Sequence, residues 1–155
     1  MKKTILTFAT ILSVLVAEAQ TKTNSITKTK IGNLSEVSYE EFIDLKKEDT
    51  TRYVYLGFQN SQYSYIIDLA GIYLWNPDTD KTDVNNFIKD LQLAIDNLGV
   101  TMWNQQKHYR ISISERLPKM IFLGCGNESS KKDAYTTLSK KNAEKLIEWL
   151  NTTKF

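Results

Sequence analysis

Two side chains have the chemistry of a nucleophile and its base, and each residue type occurs once: Cys125 and His108. A thiolate attacks a carbonyl or a disulfide when a neighbouring histidine accepts its proton, which needs hydrogen-bond reach between the two. HYRISIS (108 to 114) and KMIFLGC (119 to 125) read as consecutive strands, so the topology allows that contact. LGCG also sets the thiol between glycines, where a substrate backbone can approach. Against the pair stands the place of Cys125 at the end of an apolar run, where free cysteines are commonly buried. A small exported hydrolase or thiol enzyme using Cys125 with His108 is therefore the second reading, and a non-catalytic protein the first.

Metal chemistry finds too few ligands, since one His and one Cys cannot make the three or four protein ligands that zinc takes. NPDTDKTD (76 to 83) has Asn76, Asp78 and Asp80 at alternate positions, as a calcium loop does. Its sixth and twelfth positions are Lys81 and Phe87, where an EF-hand needs Gly and Glu. Acids just ahead of a helix are favoured by capping and by the helix dipole in any case. The chain carries no phosphate-cradling Gly-rich loop, no G-x-S-x-G elbow and no H-E-x-x-H. Carboxylate pairs such as Glu40 with Glu41, or Glu115 with Glu128, mean little without geometry. No metal and no cofactor are expected.

The remaining candidate is aromatic. RYVYLGFQNSQYSYIIDLAGIYLW (52 to 75) is dense in tyrosine and ends on Trp75. Side chains alternate along a strand, so Val54, Leu56 and Phe58 share one face and Tyr53 and Tyr55 the other. GIYLW divides the same way, with Ile72 and Leu74 opposite Tyr73 and Trp75. If the aliphatic set faces helices, Tyr53, Tyr55, Tyr73 and Trp75 form a patch on the uncovered side, joined by Tyr63 and Tyr65 if their register agrees. Such rings stack on flat, weakly polar groups while their hydroxyls hydrogen-bond. They also stabilise a sheet as cross-strand pairs whether or not anything binds.

The elements that must position these residues follow from periodicity. YVYLGF (53 to 58) and YSYIIDL (63 to 69) flank polar QNSQ as a hairpin would, and GIYLW supplies a third strand. Val84, Phe87, Ile88, Leu91, Ala94, Ile95 and Leu98 fall at spacings of three and four, one stripe of a helix, with Asp80 or Thr82 to cap it and Gly99 to close it. SKKNAEKLIEWLNTT (139 to 153) is the second helix, with Ser139 as its cap, Leu138 and Ala143 as its staple, and Ala143, Leu146, Ile147 and Leu150 as its buried stripe. VSYEEFIDLKK (37 to 47) carries both a capping box and a strand alternation, and its neighbours favour the strand. The fold class is α+β, a largely antiparallel sheet with two main helices packed on one face. Matching triplets, Ile72-Tyr73-Leu74 and Ile121-Phe122-Leu123, hint at a duplicated β-β-α unit.

The first nineteen residues read as a secretory signal peptide: Lys2 and Lys3, an apolar run to about Ala17, and a small-residue cleavage pattern at Ala17 and Ala19. The run is shorter than the roughly 20 residues that span a bilayer. Residues 20–33, rich in Thr, Lys and Asn, read as a flexible leader, and 34–155 as a single α+β domain. Cleavage removes two of the 20 basic and one of the 18 acidic residues, which leaves 18 against 17, a net of +1. That balance disfavours nucleic acid as a partner. With a single cysteine no internal disulfide can form, so a hydrophobic core must hold the fold. The expectation is an exported protein, periplasmic or extracellular, with no stable membrane span after cleavage. It would bind a protein or a cell-envelope glycan through the aromatic sheet face or a sheet edge, and pairing of edge strands would give a homo-oligomer.

Overall fold

The computed structural model describes residues 21–45, 48–62, 67–76, 82–106, 108–125 and 134–153. Residues 1–19, the segment expected to be a signal peptide, lie outside them, as do Tyr63, Tyr65, Asp78, Asp80, Lys81 and Glu128 and the side chain of Trp75. Four strands, β1 (Thr21–Ile31), β2 (Leu34–Asp44), β3 (Asp49–Gln59) and β4 (Leu69–Asn76), form an antiparallel sheet in chain order, followed by helix α1 (Thr82–Asp96). Four more, β5 (Met102–Gln105), β6 (Tyr109–Ser114), β7 (Leu117–Cys125) and β8 (Tyr135–Ser139), form a second such sheet, followed by helix α2 (Lys140–Thr152). The α+β class, the antiparallel sheets and the two helices are as the periodicity predicts, and the strands divide into two sheets. The partner of β3 is β4, which holds GIYLW, and not the expected strand YSYIIDL, of which Ile67 and Asp68 lie outside any strand and residues 63–66 outside the described residues. Each half runs four strands and then a helix. The triplets at 72–74 and 121–123 fall on β4 and β7, the last strand of one half and the third of the other, so they do not mark equivalent places.

The segment expected to be a flexible leader is instead strand β1 over most of its length. Its composition is polar, but threonine suits a pleated surface, and pairing with β2 supplies partners for the backbone N–H and C=O groups. The connection is the two-residue turn Gly32–Asn33, with Gly32 at φ +56°, a conformation open to glycine at little cost. VSYEEFID (37 to 44) is strand, within β2, as its neighbours favour, and Leu45 turns out of it.

One core joins both halves. Val54, Leu56, Phe58, Ile72 and Leu74 from the first sheet and Ile111, Ile113, Ile121 and Leu123 from the second all lie in it. Helix α1 adds Val84, Phe87, Leu91, Ala94 and Ile95, and α2 adds Ala143, Leu146 and Leu150, which are the stripes that the spacing predicts. Each large side chain in this set contributes about 1.5–3 kcal/mol by leaving water. Ser139 caps α2 by accepting from the Asn142 N–H at 3.4 Å, with its staple residues Leu138 and Ala143 both fully buried. Past α1, Gly99 takes φ +98° and donates its N–H to the Pro118 carbonyl. Tyr109 fastens α1 to the second sheet, with its ring edge-on to Phe87 at 5.0 Å and its hydroxyl donating to Asp90 Oδ2 at 2.6 Å.

The two sheets meet at a buried amide. Asn60, fully buried at the end of β3, accepts on Oδ1 from the N–H groups of Gln62 and Tyr135 and donates from Nδ2 to Asp68. Alongside it, the Ser61 N–H donates to the Tyr135 carbonyl. A short piece of chain after β3 thus pairs with the start of β8 and brings β7 up to β4.

Candidate functional site

The outer face of the first sheet, turned away from the core, collects the tyrosines. Register places Tyr55 opposite Tyr73, Gly57 opposite Gly71, and Tyr53 opposite Trp75. From β2 the same face receives Ser38 beside Tyr55, Glu40 beside Tyr53, and Glu36 beside Gly57. For the described side chains the predicted division of faces holds, with Val54, Leu56, Ile72 and Leu74 inward and Tyr53, Tyr55 and Tyr73 outward; the side chain of Trp75, the fourth expected on the outer face, lies outside them.

The three rings play different parts. Tyr73 is the exposed one, at 46%. Its ring lies 4.9 Å from that of Tyr55, tilted by 42°, and 5.3 Å from that of Tyr53, near edge-on. Tyr53 is only 7% exposed, with its hydroxyl donating to Glu40 Oε2 at 2.8 Å. It supports the patch rather than presenting a surface. Tyr55 is half-buried and laid over the paired glycines. A Cβ on Gly57 would come within 2.9 Å of its Cε1, and one on Gly71 would collide with its Cε2. The glycines thus leave a shelf that the ring fills, with Cε1 toward one strand and Cε2 toward the other.

Carboxylates border the rings. Glu40 is fixed by two donors, Ser38 Oγ on Oε1 at 2.7 Å and Tyr53 on Oε2, and each oxygen keeps further acceptor capacity. Glu36 pairs with Lys28 at 2.7 Å. Burial raises the Tyr55 hydroxyl above its ordinary pKa, and Tyr73, Glu36 and Glu40 add to the effect. Tyr73 is raised by burial and then by Glu40. Both phenols are therefore neutral and able to donate at physiological pH.

The nucleophile and the base are each engaged elsewhere. Cys125 is half-buried at the end of β7, and its thiol donates to the Gly71 carbonyl at 3.2 Å, under the shelf where Tyr55 lies. Burial raises its pKa, which keeps it a thiol and not the thiolate that attack requires. His108 Nε2 faces Asp83 Oδ2 at 3.5 Å, at the start of α1. The contact that Cys125 does make ties the second sheet to the floor of the tyrosine patch. Among the described residues no three of His, Cys, Asp and Glu come together as metal ligands.

Sequence reasoning did not place Glu36, Ser38, Glu40, Gly57 or Gly71 on the tyrosine face, and weighed Glu40 only as a carboxylate paired with Glu41. The alternation in EVSYEE carried the first three once β2 is a strand. The role of the glycines depends on the β3–β4 register, which pairs them. Compared with protein-family models, with curated proteins and with solved structures, the chain matches none.

Proposed function

We propose that the protein is an exported, non-catalytic binding domain that recognises a cell-envelope glycan through the tyrosine face of its first sheet. The observation that carries this reading is the Tyr55 ring laid over Gly57 and Gly71, with Tyr73 beside it and the fixed Glu40 carboxylate at the border. A pyranose ring has an apolar C–H face and a rim of hydroxyls. It needs a flat aromatic surface to stack on and oriented acceptors to receive its O–H groups, and both are in place before binding. A protein partner would more commonly be met by a larger apolar patch with buried anchors. Export rests on the cationic, apolar and small-residue order of residues 1–19.

Co-sedimentation of the processed chain with insoluble envelope glycan of the producing cell tests the reading. Wild type should be retained, and a Tyr55→Ala/Tyr73→Ala variant of unchanged circular dichroism should remain in the supernatant. Equal retention of the two would remove the tyrosine face from recognition. Absence of glycan binding, together with capture of an envelope protein through the same face, would replace the glycan by a protein partner.

A further inference from the structure

A second surface of different chemistry lies on the outer face of the second sheet. Register places Trp103 of β5 opposite Ser112 of β6, and a cavity of about 380 Å³ opens there, lined by Trp103, Ser112 and Ser114 with Met102, Ile113 and Arg116. This volume is at the lower end of the roughly 300–1,000 Å³ of small-ligand sites. The indole is 63% exposed, an uncommon state for tryptophan, which is highly buried on average. It is nevertheless held in place, because the Arg110 guanidinium stacks on it at 4.8 Å from the ring centroid, and Arg110 itself packs over Gly124, where a Cβ would come within 3.3 Å of it. Exposure of a flat ring together with restraint of its orientation is what a stacking site needs before its ligand arrives.

We infer that this cavity takes one hexopyranose ring, stacked on Trp103 and hydrogen-bonded by the serine hydroxyls and Arg116. The walls match such a ring on both counts. Trp103 provides the apolar surface for its C–H face, since Met102 and Ile113 alternate toward the core and Ile113 is only 1% exposed. Ser112 and Ser114 provide hydroxyls at the rim, and Ser114 Oγ, which accepts from the Arg116 N–H at 3.3 Å, still has its own proton to donate. An acyl chain would leave these polar groups unpaired. A phosphate-bearing ligand would meet Glu115, which also borders the cavity. The site extends the glycan reading of the tyrosine face but stands on other residues and another sheet.

Tryptophan fluorescence reads the site directly, with N,N′-diacetylchitobiose as the probe. Wild type should give a saturable change with Kd of about 1–10 mM, in keeping with one ring in a shallow site. Trp103→Ala should lose binding in calorimetric titration, a readout that does not use the indole as its reporter. Ser112→Val, which removes a hydroxyl, narrows the cavity and keeps the indole, should weaken binding by about tenfold or more. The Tyr55→Ala/Tyr73→Ala variant should bind the disaccharide as wild type does, so failure of the tyrosine face and failure of this site give different results. The inference is overturned if wild type shows no saturable change up to about 100 mM disaccharide, or if either cavity variant binds with the wild-type constant.

Discussion

At the scale of single residues, the tyrosine face, the proposed recognition surface, depends on the absence of two Cβ atoms. Gly71→Ala keeps a permitted strand backbone but places a methyl group in the space of Tyr55 Cε2, so the end of the ring must lift. Fold stability should change by less than about 1 kcal/mol, because only the far end of an outer-face side chain moves. Glycan affinity should fall by about tenfold; calorimetric titration with a soluble hexasaccharide of N-acetylglucosamine, beside a thermal melt, separates the two effects. A second residue, Tyr109, contributes to the fall of stability at alkaline pH, as the raised phenols of Tyr55 and Tyr73 also do. Burial first, and then the hydrogen bond to Asp90, hold its pKa well above the ordinary value near 10. Since the folded state keeps the phenol neutral, this contribution is complete below pH 10 and is lost as pH rises beyond it, where the unfolded chain ionises and the folded one does not. The melting temperature should therefore drop on raising the pH from 9 to about 11. Tyr109→Phe should begin about 1–3 kcal/mol less stable, with Asp90 short of a donor, and decline less steeply over that range.

Among the elements, the helices and central strands were the most legible, because long apolar stripes such as Val84 to Leu98 can bury themselves in only one way. The cap at Ser139 was equally plain, and Ser139→Ala should cost about 1 kcal/mol by denaturant unfolding. What escaped sequence reasoning was held by partners distant in the chain. β1 has little apolar patterning of its own and exists through pairing with β2; β5 and β8 are four and five residues long and take their places from β6 and β7. The tyrosine face was legible as a face, since alternation alone separates Tyr53, Tyr55 and Tyr73 from Val54, Leu56 and Ile72. Its inner structure was not, because burial of Tyr53 by Glu40 and Tyr73, and the glycine shelf, depend on register across three strands. Trp103 was overlooked for the same reason: nothing in MWNQ says that Arg110 will lie across the indole.

The whole molecule is held as one body by the junction of its two sheets. Asn60 satisfies two backbone donors there, one of them on β8, so Asn60→Ala should leave the Gln62 and Tyr135 N–H groups short of a partner and cost about 1–3 kcal/mol. Hydrogen exchange at Tyr135 and Thr136 should quicken more than exchange within α1, which marks the junction rather than the core as the part loosened. Association through strand edges is opposed on β1 by exposed Lys22, Lys28 and Lys30, since charged side chains along an edge deter pairing with another chain. Size in solution by light scattering should rise with concentration if the edge of β5 or β8 pairs with another copy instead. The central claim is that Tyr55 and Tyr73 are the glycan-contacting surface. Its most direct test is the ring resonances of the tyrosines, observed by NMR as the hexasaccharide of N-acetylglucosamine is titrated into the processed chain. Tyr55 and Tyr73 should shift saturably, with the Tyr53 ring little moved. Saturable binding that leaves both rings unmoved, or no binding to any glycan of the producing cell's envelope, would contradict it.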